Sequence, residues 1–302
     1  MPAKSAGESP NRGLSDRGIG SLGVTRFAAP TAWAVRQFVF GEILSELDSH
    51  FSAMRIRYMP MKGAYLILAG LAEQIKTRRM VDIDILVDRE NIEVATRHFA
   101  SLDNVRPYTD RWYFERPFFY RFAGKELPVE LHFLLNRPER FHLPTSEIFG
   151  RARSLGPYLR LPAHEDAAAI AVCHALVHAT YCEFSSETMV DVAAIASLPG
   201  FNWGTFELRC AQAGVRRFLG FLFALFPEYQ SLANAGLGAG MVDRFHAGMY
   251  RRLYRRSPKA VRRALFELPW VKHPIRLAFV SAAENLPGRA PFPDSPSRSA
   301  RG

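Results

Sequence analysis

The chain has 302 residues, 48% hydrophobic and 23% charged, a globular composition that excludes a wholly disordered or collagen-like polypeptide. Its 39 Lys and Arg against 29 Asp and Glu give a net charge of +10, but the excess is local: 13 basic and three acidic residues lie between Arg244 and Gly302, and the rest of the chain balances. The pI of 9.8 therefore describes the C-terminal fifth and is no ground for nucleic-acid binding by the body of the protein. No window approaches the ~18 uninterrupted apolar residues of a membrane-spanning helix. The Gly/Ser/Arg-rich start lacks the apolar core of a signal peptide. Three cysteines, Cys173, Cys182 and Cys210, with no C-x-x-C spacing, argue against a disulfide framework or zinc ribbon and fit a reducing cytoplasm.

Residues 1–28 and 286–302 read as polar tails with little to bury. Between them the pattern changes once. Val35 to Phe51 carries Phe38, Ile43, Leu44 and Leu47 at helical spacing. Arg57 to Met61 is a short apolar run, and Gly63 opens a helical stretch to Ile75. Val81 to Val87 reads as a strand, with Asp88 as N-cap of a helix over Asn91 to Leu102. The aromatic stretch Arg111 to Ala123 and the strand Leu127 to Leu134 read as a hairpin turning at Gly124-Lys125. From about His164 onward everything is helical: Ala167 to Tyr181, Glu187 to Ser197, Trp203 to Ala213, Val215 to Phe226 and Met241 to Arg256. Ser257-Pro258 opens one more helix. The expected architecture is α+β: a small mixed sheet flanked by helices at residues 29–155, then an all-helical domain at 156–285.

The segment Val81-Asp82-Ile83-Asp84-Ile85-Leu86-Val87 carries the chemistry. Residues two apart on a strand share a face, so Val81, Ile83, Ile85 and Val87 point to the core and Asp82 and Asp84 point together to the other side. Aspartate is a poor strand former, and two ionised carboxylates side by side repel unless a cation lies between them. Mg²⁺ takes carboxylate oxygens readily. The bland alternative is a strand whose outer face holds two solvated acids. Three neighbours weigh against it. Glu130 and His132 share one face of the strand Val129-Glu130-Leu131-His132-Phe133. Lys62-Gly63 lies at a strand-to-helix turn whose backbone N–H groups suit an anion. Arg78 and Arg79 precede the Asp82 strand and offer forks for phosphate oxygens.

These residues resemble a nucleotidyltransferase family of the polymerase-beta-like superfamily. Its members show a Lys-Gly pair, then Arg-x-x-x-Asp-Ile-Asp-Leu-Leu-Val, then a Val-Glu-Leu-His-Trp strand. Here Lys62-Gly63, Arg78 with Asp82 to Val87, and Val129 to Phe133 follow that order. Pro162 to Asp166, His174 with His178, and Asp191-Val192 are similar to the family's helical part, so the resemblance covers about residues 35–225. It implies a nucleotidyltransferase-like fold in which Asp82, Asp84 and Glu130 hold two divalent ions, Mg²⁺ or Mn²⁺, that bridge the triphosphate of a nucleoside triphosphate substrate. Glu130 would also help deprotonate an acceptor hydroxyl. Lys62, Gly63, Arg78 and Arg79 would bind the nucleotide, and His132, His174, His178 and Asp191 would border the substrate cleft. The wider superfamily has Gly-Ser where this chain has Lys62-Gly63.

Other signals are weaker. His174 and His178, one turn apart, lack the Glu of the HExxH motif, which argues against hydrolytic zinc chemistry. Gly236 to Gly240 follows no strand and reads as a connector rather than a phosphate loop. Arg251, Arg252, Arg255, Arg256, Lys259, Arg262 and Arg263, interleaved with Tyr250 and Tyr254, suit a solvated helix face, an anionic membrane surface or nucleic acid. The rival to an enzyme is a non-catalytic nucleotide- or polyanion-binding regulatory module using those basic helices; the complete carboxylate set favours chemistry.

Overall fold

A computed structural model describes residues 29–254 except 77, 109–113, 136–139, 179–183 and 233–239; the side chains of residues 29–32 and 178 also lie outside the description. The tails, most of the glycine-rich connector, Arg255 to Arg263 and the helix expected after Ser257 lie outside the described residues.

The order of elements is α1 (Ala29–Met54), β1 (Tyr58–Pro60), α2 (Lys62–Leu68), β2 (Ile83–Val87), α3 (Ile92–Ala100), β3 (Val105–Pro107), β4 (Glu115–Phe122) and β5 (Lys125–His132). Then come α4 (Thr145–Arg151), the short pair β6 (Arg153–Ser154) and β7 (Arg160–Leu161), and α5 (His164–His178), α6 (Glu187–Ala196), α7 (Trp203–Ala213), α8 (Arg216–Leu225) and α9 (Met241–Leu253). Strands β1 to β5 form one mixed sheet in the order β1-β2-β5-β4-β3, in which only β2 and β5 run parallel. The α+β class follows, with helices after the sheet.

The sheet has two different faces. Ile83, Ile85, Val129, Leu131, Phe118 and Tyr120 lie on one, under α1 and α3, where Phe99 packs against Phe51 and Phe118 and Tyr120 bonds Glu46. Helix α1 buries Phe40, Ile43, Leu44, Leu47 and Phe51, spacings of three and four that suit an apolar stripe. Ile43, Leu44 and Leu47 are the expected members of that stripe, whereas Phe38 is exposed and Phe40 is buried in its stead. The opposite face carries Asp84, Glu130, His132 and Glu115.

Several expectations shift. Val81 precedes β2 and is 63% exposed, so the core-facing run begins at Ile83. The helix expected to Ile75 stops at Leu68, because the Leu71 N–H bonds back to the Leu66 carbonyl and closes it. Asn91, not Asp88, stands at the N-cap of α3, and the Asp88 side chain makes no capping bond; its carboxylate pairs with Arg57 at 2.9 Å. The hairpin turns at Ala123-Gly124, with φ of 47° and 76°, one residue earlier than expected. Positive φ at both central positions matches the right-handed twist of the flanking strands, and glycine takes the second without steric cost. None of the helices found among the described residues is long and apolar enough to cross a membrane.

Candidate active site

Strands β2 and β5 set the geometry. Their parallel register pairs Asp84 with Glu130 and Leu86 with His132, so both β5 side chains come to the face that carries Asp84. The β4–β5 hairpin pairs Glu115 with His132 and adds a further carboxyl to that face. This face is largely shut from solvent: Asp84 is 2% exposed and His132 4%, while Glu130 and Asp82 are half-buried.

Lys62 closes over this face. The Met61 N–H bonds the Asp84 carbonyl at 2.9 Å, fixing the turn between β1 and α2 against β2. Lys62 then takes a left-handed backbone, φ 49°, uncommon for a residue with a side chain. Its ammonium donates to Oδ1 of Asp84 at 2.6 Å. A strained residue whose side chain meets a buried carboxylate is the pattern of a functional position. Lys62, read from sequence as a phosphate contact, is here tied to a carboxylate.

His132 shares that oxygen: its Nε2 lies 2.9 Å from Oδ1 of Asp84 and 3.4 Å from Oε2 of Glu130. Its Nδ1 lies 3.4 Å from Oε2 of Glu115 and makes no hydrogen bond. Ligand atoms of Asp84, Glu130 and His132 all fall within 4.8 Å of one another, a grouping able to hold a metal ion. Asp82, expected in that set, is outside it but stands within electrostatic reach of Asp84, Lys62, Glu130 and Arg78.

The charges respond accordingly. Burial works against ionised Asp84, but Lys62 and His132 overcome it and hold the carboxyl well below the usual range. Burial disfavours the Lys62 ammonium, and Asp84, Asp82 and Glu130 more than offset this, so it stays charged. Asp82, pushed by burial and by the neighbouring Asp84, rises to about 6. Glu115 rises to about 7, from burial and from Glu130. His132 rises to about 9, since its carboxylate partners outweigh burial. Four carboxyl groups thus crowd around Lys62 and His132, a surplus of acid that a bound cation would relieve.

The remaining candidates lie around this centre. Arg78 Nε donates to both oxygens of Asp191, on α6, at 2.8 and 3.0 Å. Gly63 makes room for it: a Cβ there would lie 3.0 Å from Arg78 Nη1 and from the Met80 methyl. Arg79 is exposed, and its backbone N–H reaches Glu187 at 3.5 Å. His174, half-buried on α5, acts electrostatically on Asp84, which brings the helical part to the same centre. The His178 side chain lies outside the described ones. Glu115 went unread in the sequence, although its register opposite His132 follows once the turn is placed at Ala123-Gly124.

The strand pair and the Lys-Gly turn are the segments whose sequence resembles a nucleotidyltransferase family. A family model described as an uncharacterised nucleotidyltransferase matches residues 28–230, which include both sheets and helices α1 to α8. The chain belongs to this nucleotidyltransferase family and is an enzyme of the transferase class. Comparison with curated proteins and with solved structures gives no match.

Proposed function

We propose that the protein is a metal-dependent nucleotidyltransferase that moves a nucleoside monophosphate from a nucleoside triphosphate to a hydroxyl or phosphate of an acceptor, either a small molecule or a protein side chain. The observation that carries this reading is the convergence of Asp84 and Glu130 in register on one closed sheet face, within 4.8 Å of a third ligand atom. These donors fit a divalent ion. Asp82, Asp84 and Glu130 are the carboxylates that would hold Mg²⁺ or Mn²⁺, two ions at full loading. Such ions neutralise the triphosphate and the departing pyrophosphate when bound.

In the transfer, the acceptor oxygen forms a bond to the α-phosphorus. The bond from that phosphorus to the bridging oxygen breaks, and pyrophosphate leaves with the electron pair. Where the acceptor is a hydroxyl, its proton passes to Glu130, whose side chain is 25% exposed and reachable. Lys62, Gly63, Arg78 and Arg79 bind the triphosphate, with Arg78 aimed by Asp191. His174, which acts electrostatically on Asp84, and His178, one helical turn on in sequence, would take part in binding the substrate. The buried free thiols Cys173 and Cys210 suit a reducing compartment such as the cytoplasm. The basic residues of the stretch from Arg251 to Arg263 would serve an anionic partner, separately from the chemistry.

The test uses α-labelled nucleoside triphosphates, the full-length protein and cell extract with Mg²⁺ or Mn²⁺. Label is expected on an acceptor with the wild type and not with Glu130→Gln. Equal labelling by the two proteins would overturn the assignment.

A further inference from the structure

His132 lies on the acid face with each ring nitrogen turned to carboxylate. Nε2 faces the oxygens of Asp84 and Glu130, at 2.9 and 3.4 Å. Nδ1 faces Oε2 of Glu115 at 3.4 Å and is buried without a hydrogen bond. In the metal-free site Nε2, the ring nitrogen within hydrogen-bonding distance of a carboxylate, carries a proton toward Oδ1 of Asp84. A cation taken up where Asp84 and Glu130 converge would replace that proton on Nε2, while the Nδ1 proton stays on the side of Glu115. Carboxylate, histidine and metal in line is the arrangement that orients imidazole ligands in metalloproteins. The β4–β5 register builds it, because Glu115 and His132 are directly opposed across the hairpin. Phe114, stacked near the ring with centroids 6.2 Å apart and planes 15° from parallel, limits its rotation.

We infer that His132 is itself a ligand of the bound cation, positioned by Glu115, and that this pair makes the site favour first-row transition ions over Mg²⁺. The inference rests on the reading of Asp84 and Glu130 as metal-holding carboxylates and adds a nitrogen to them. Mg²⁺ prefers an all-oxygen shell and gives up water reluctantly, whereas Mn²⁺ and still more Co²⁺ accept imidazole. Glu115 is a positioning residue: it acts only through the histidine ring.

The experiment loads the full-length protein with Mn²⁺ and records electron spin-echo modulation, which detects a directly bound imidazole nitrogen whether or not any variant folds. A strong ¹⁴N coupling is expected in the wild type. In parallel, Mg²⁺ and Co²⁺ affinities are measured by calorimetry without nucleotide. His132→Ala should weaken Co²⁺ binding roughly 10–100-fold, with little change for Mg²⁺. Glu115→Ala should weaken Co²⁺ more than Glu115→Gln, which keeps a carbonyl oxygen on the side of Nδ1. Mn²⁺ held without ¹⁴N coupling overturns the inference and leaves the transferase reading intact. An equal loss of Mg²⁺ and Co²⁺ affinity in His132→Ala overturns it too. No Mn²⁺ binding at all overturns both.

Discussion

Asp84 in the sheet and Asp166 at the start of α5 are both shut away from solvent, 2% and 0% exposed, yet their surroundings are opposite. Asp166 is one acid between two arginines. Arg151 grips both its oxygens at 2.9 Å through Nε and Nη2, and Arg209 adds a contact at 3.6 Å. That cluster joins α4, α5 and α7 and leaves no surplus of negative charge. Asp84 shares its face with Glu130, Glu115 and the nearby Asp82, against Lys62 and His132. A buried charge is tolerated when it is paired and hydrogen-bonded. The Asp166 cluster meets that condition from its own residues and serves the fold. The Asp84 cluster keeps an excess of acid in a half-closed place, the condition expected of a site that takes up a cation.

The largest effect expected from this contrast is on chemistry. Asp82→Asn should lower nucleotidyl transfer on the order of 10³-fold while the metal-free protein stays folded, because the variant removes a charge from an overcrowded acid face. Transfer assays with circular dichroism as the folding control check it, and near wild-type turnover would break the contrast. Asp166→Asn should do the reverse. It leaves two arginines facing a neutral group and should cost about 3 kcal/mol in denaturant unfolding. Mn²⁺ affinity of the remaining folded protein should stay within about threefold of wild type. Loss of metal binding without loss of stability would place Asp166 in the wrong class.

What could be read from sequence divides along the same line. Parity along β2 and β5 put Asp84, Glu130 and His132 on common faces, because strand alternation is local. The Lys62–Asp84 pair was hidden, since it depends on how a turn folds across the sheet 22 residues away. Glu115 was lost to a one-residue error: a turn at Gly124-Lys125 pairs His132 with Pro117, whereas the turn at Ala123-Gly124 pairs it with Glu115. Asp166 stands in the first turn of α5, where the helix dipole favours an acid. Its burial by Arg151 and Arg209 comes from packing among three helices and leaves no mark on local pattern.

A smaller effect concerns pH and the contact between sheet and helices. Burial pushes Asp191 up to about 6, although Arg78 pulls the other way. A carboxyl that binds its proton more tightly folded than unfolded adds stability on the acid side, and that contribution is lost as pH rises through the folded value. Between about pH 4 and pH 7, Asp191 should therefore subtract about 1–3 kcal/mol from the stability of the wild type. Asp191→Asn should flatten that part of the profile, because the amide oxygen still accepts from Arg78 and carries no charge to lose. Denaturant midpoints across the range measure it. An unchanged slope in the variant would mean that another group titrates there.

The smallest effect separates two adjacent arginines of the basic stretch. Arg251 Nη2 donates to the carbonyls of Ala224 and Leu225 at 2.8 and 2.7 Å, satisfying two acceptors at the end of α8 that lack a helical partner. A cation at a helix C-terminus also meets the negative end of the dipole. Arg251→Gln should therefore cost about 1 kcal/mol and lower Tm by a few degrees. Arg252 is exposed, and Arg252→Gln should stay within about 0.5 kcal/mol of wild type. Nucleotide affinity should be the same in both variants, because the Asp84 cluster draws its charges from the sheet and the Lys62 turn. A thermal melt and a nucleotide titration on each variant decide the matter. If Arg251→Gln melts with the wild type, the arginine belongs with its neighbours as a free basic surface; if it weakens nucleotide binding, the acid face extends to α9.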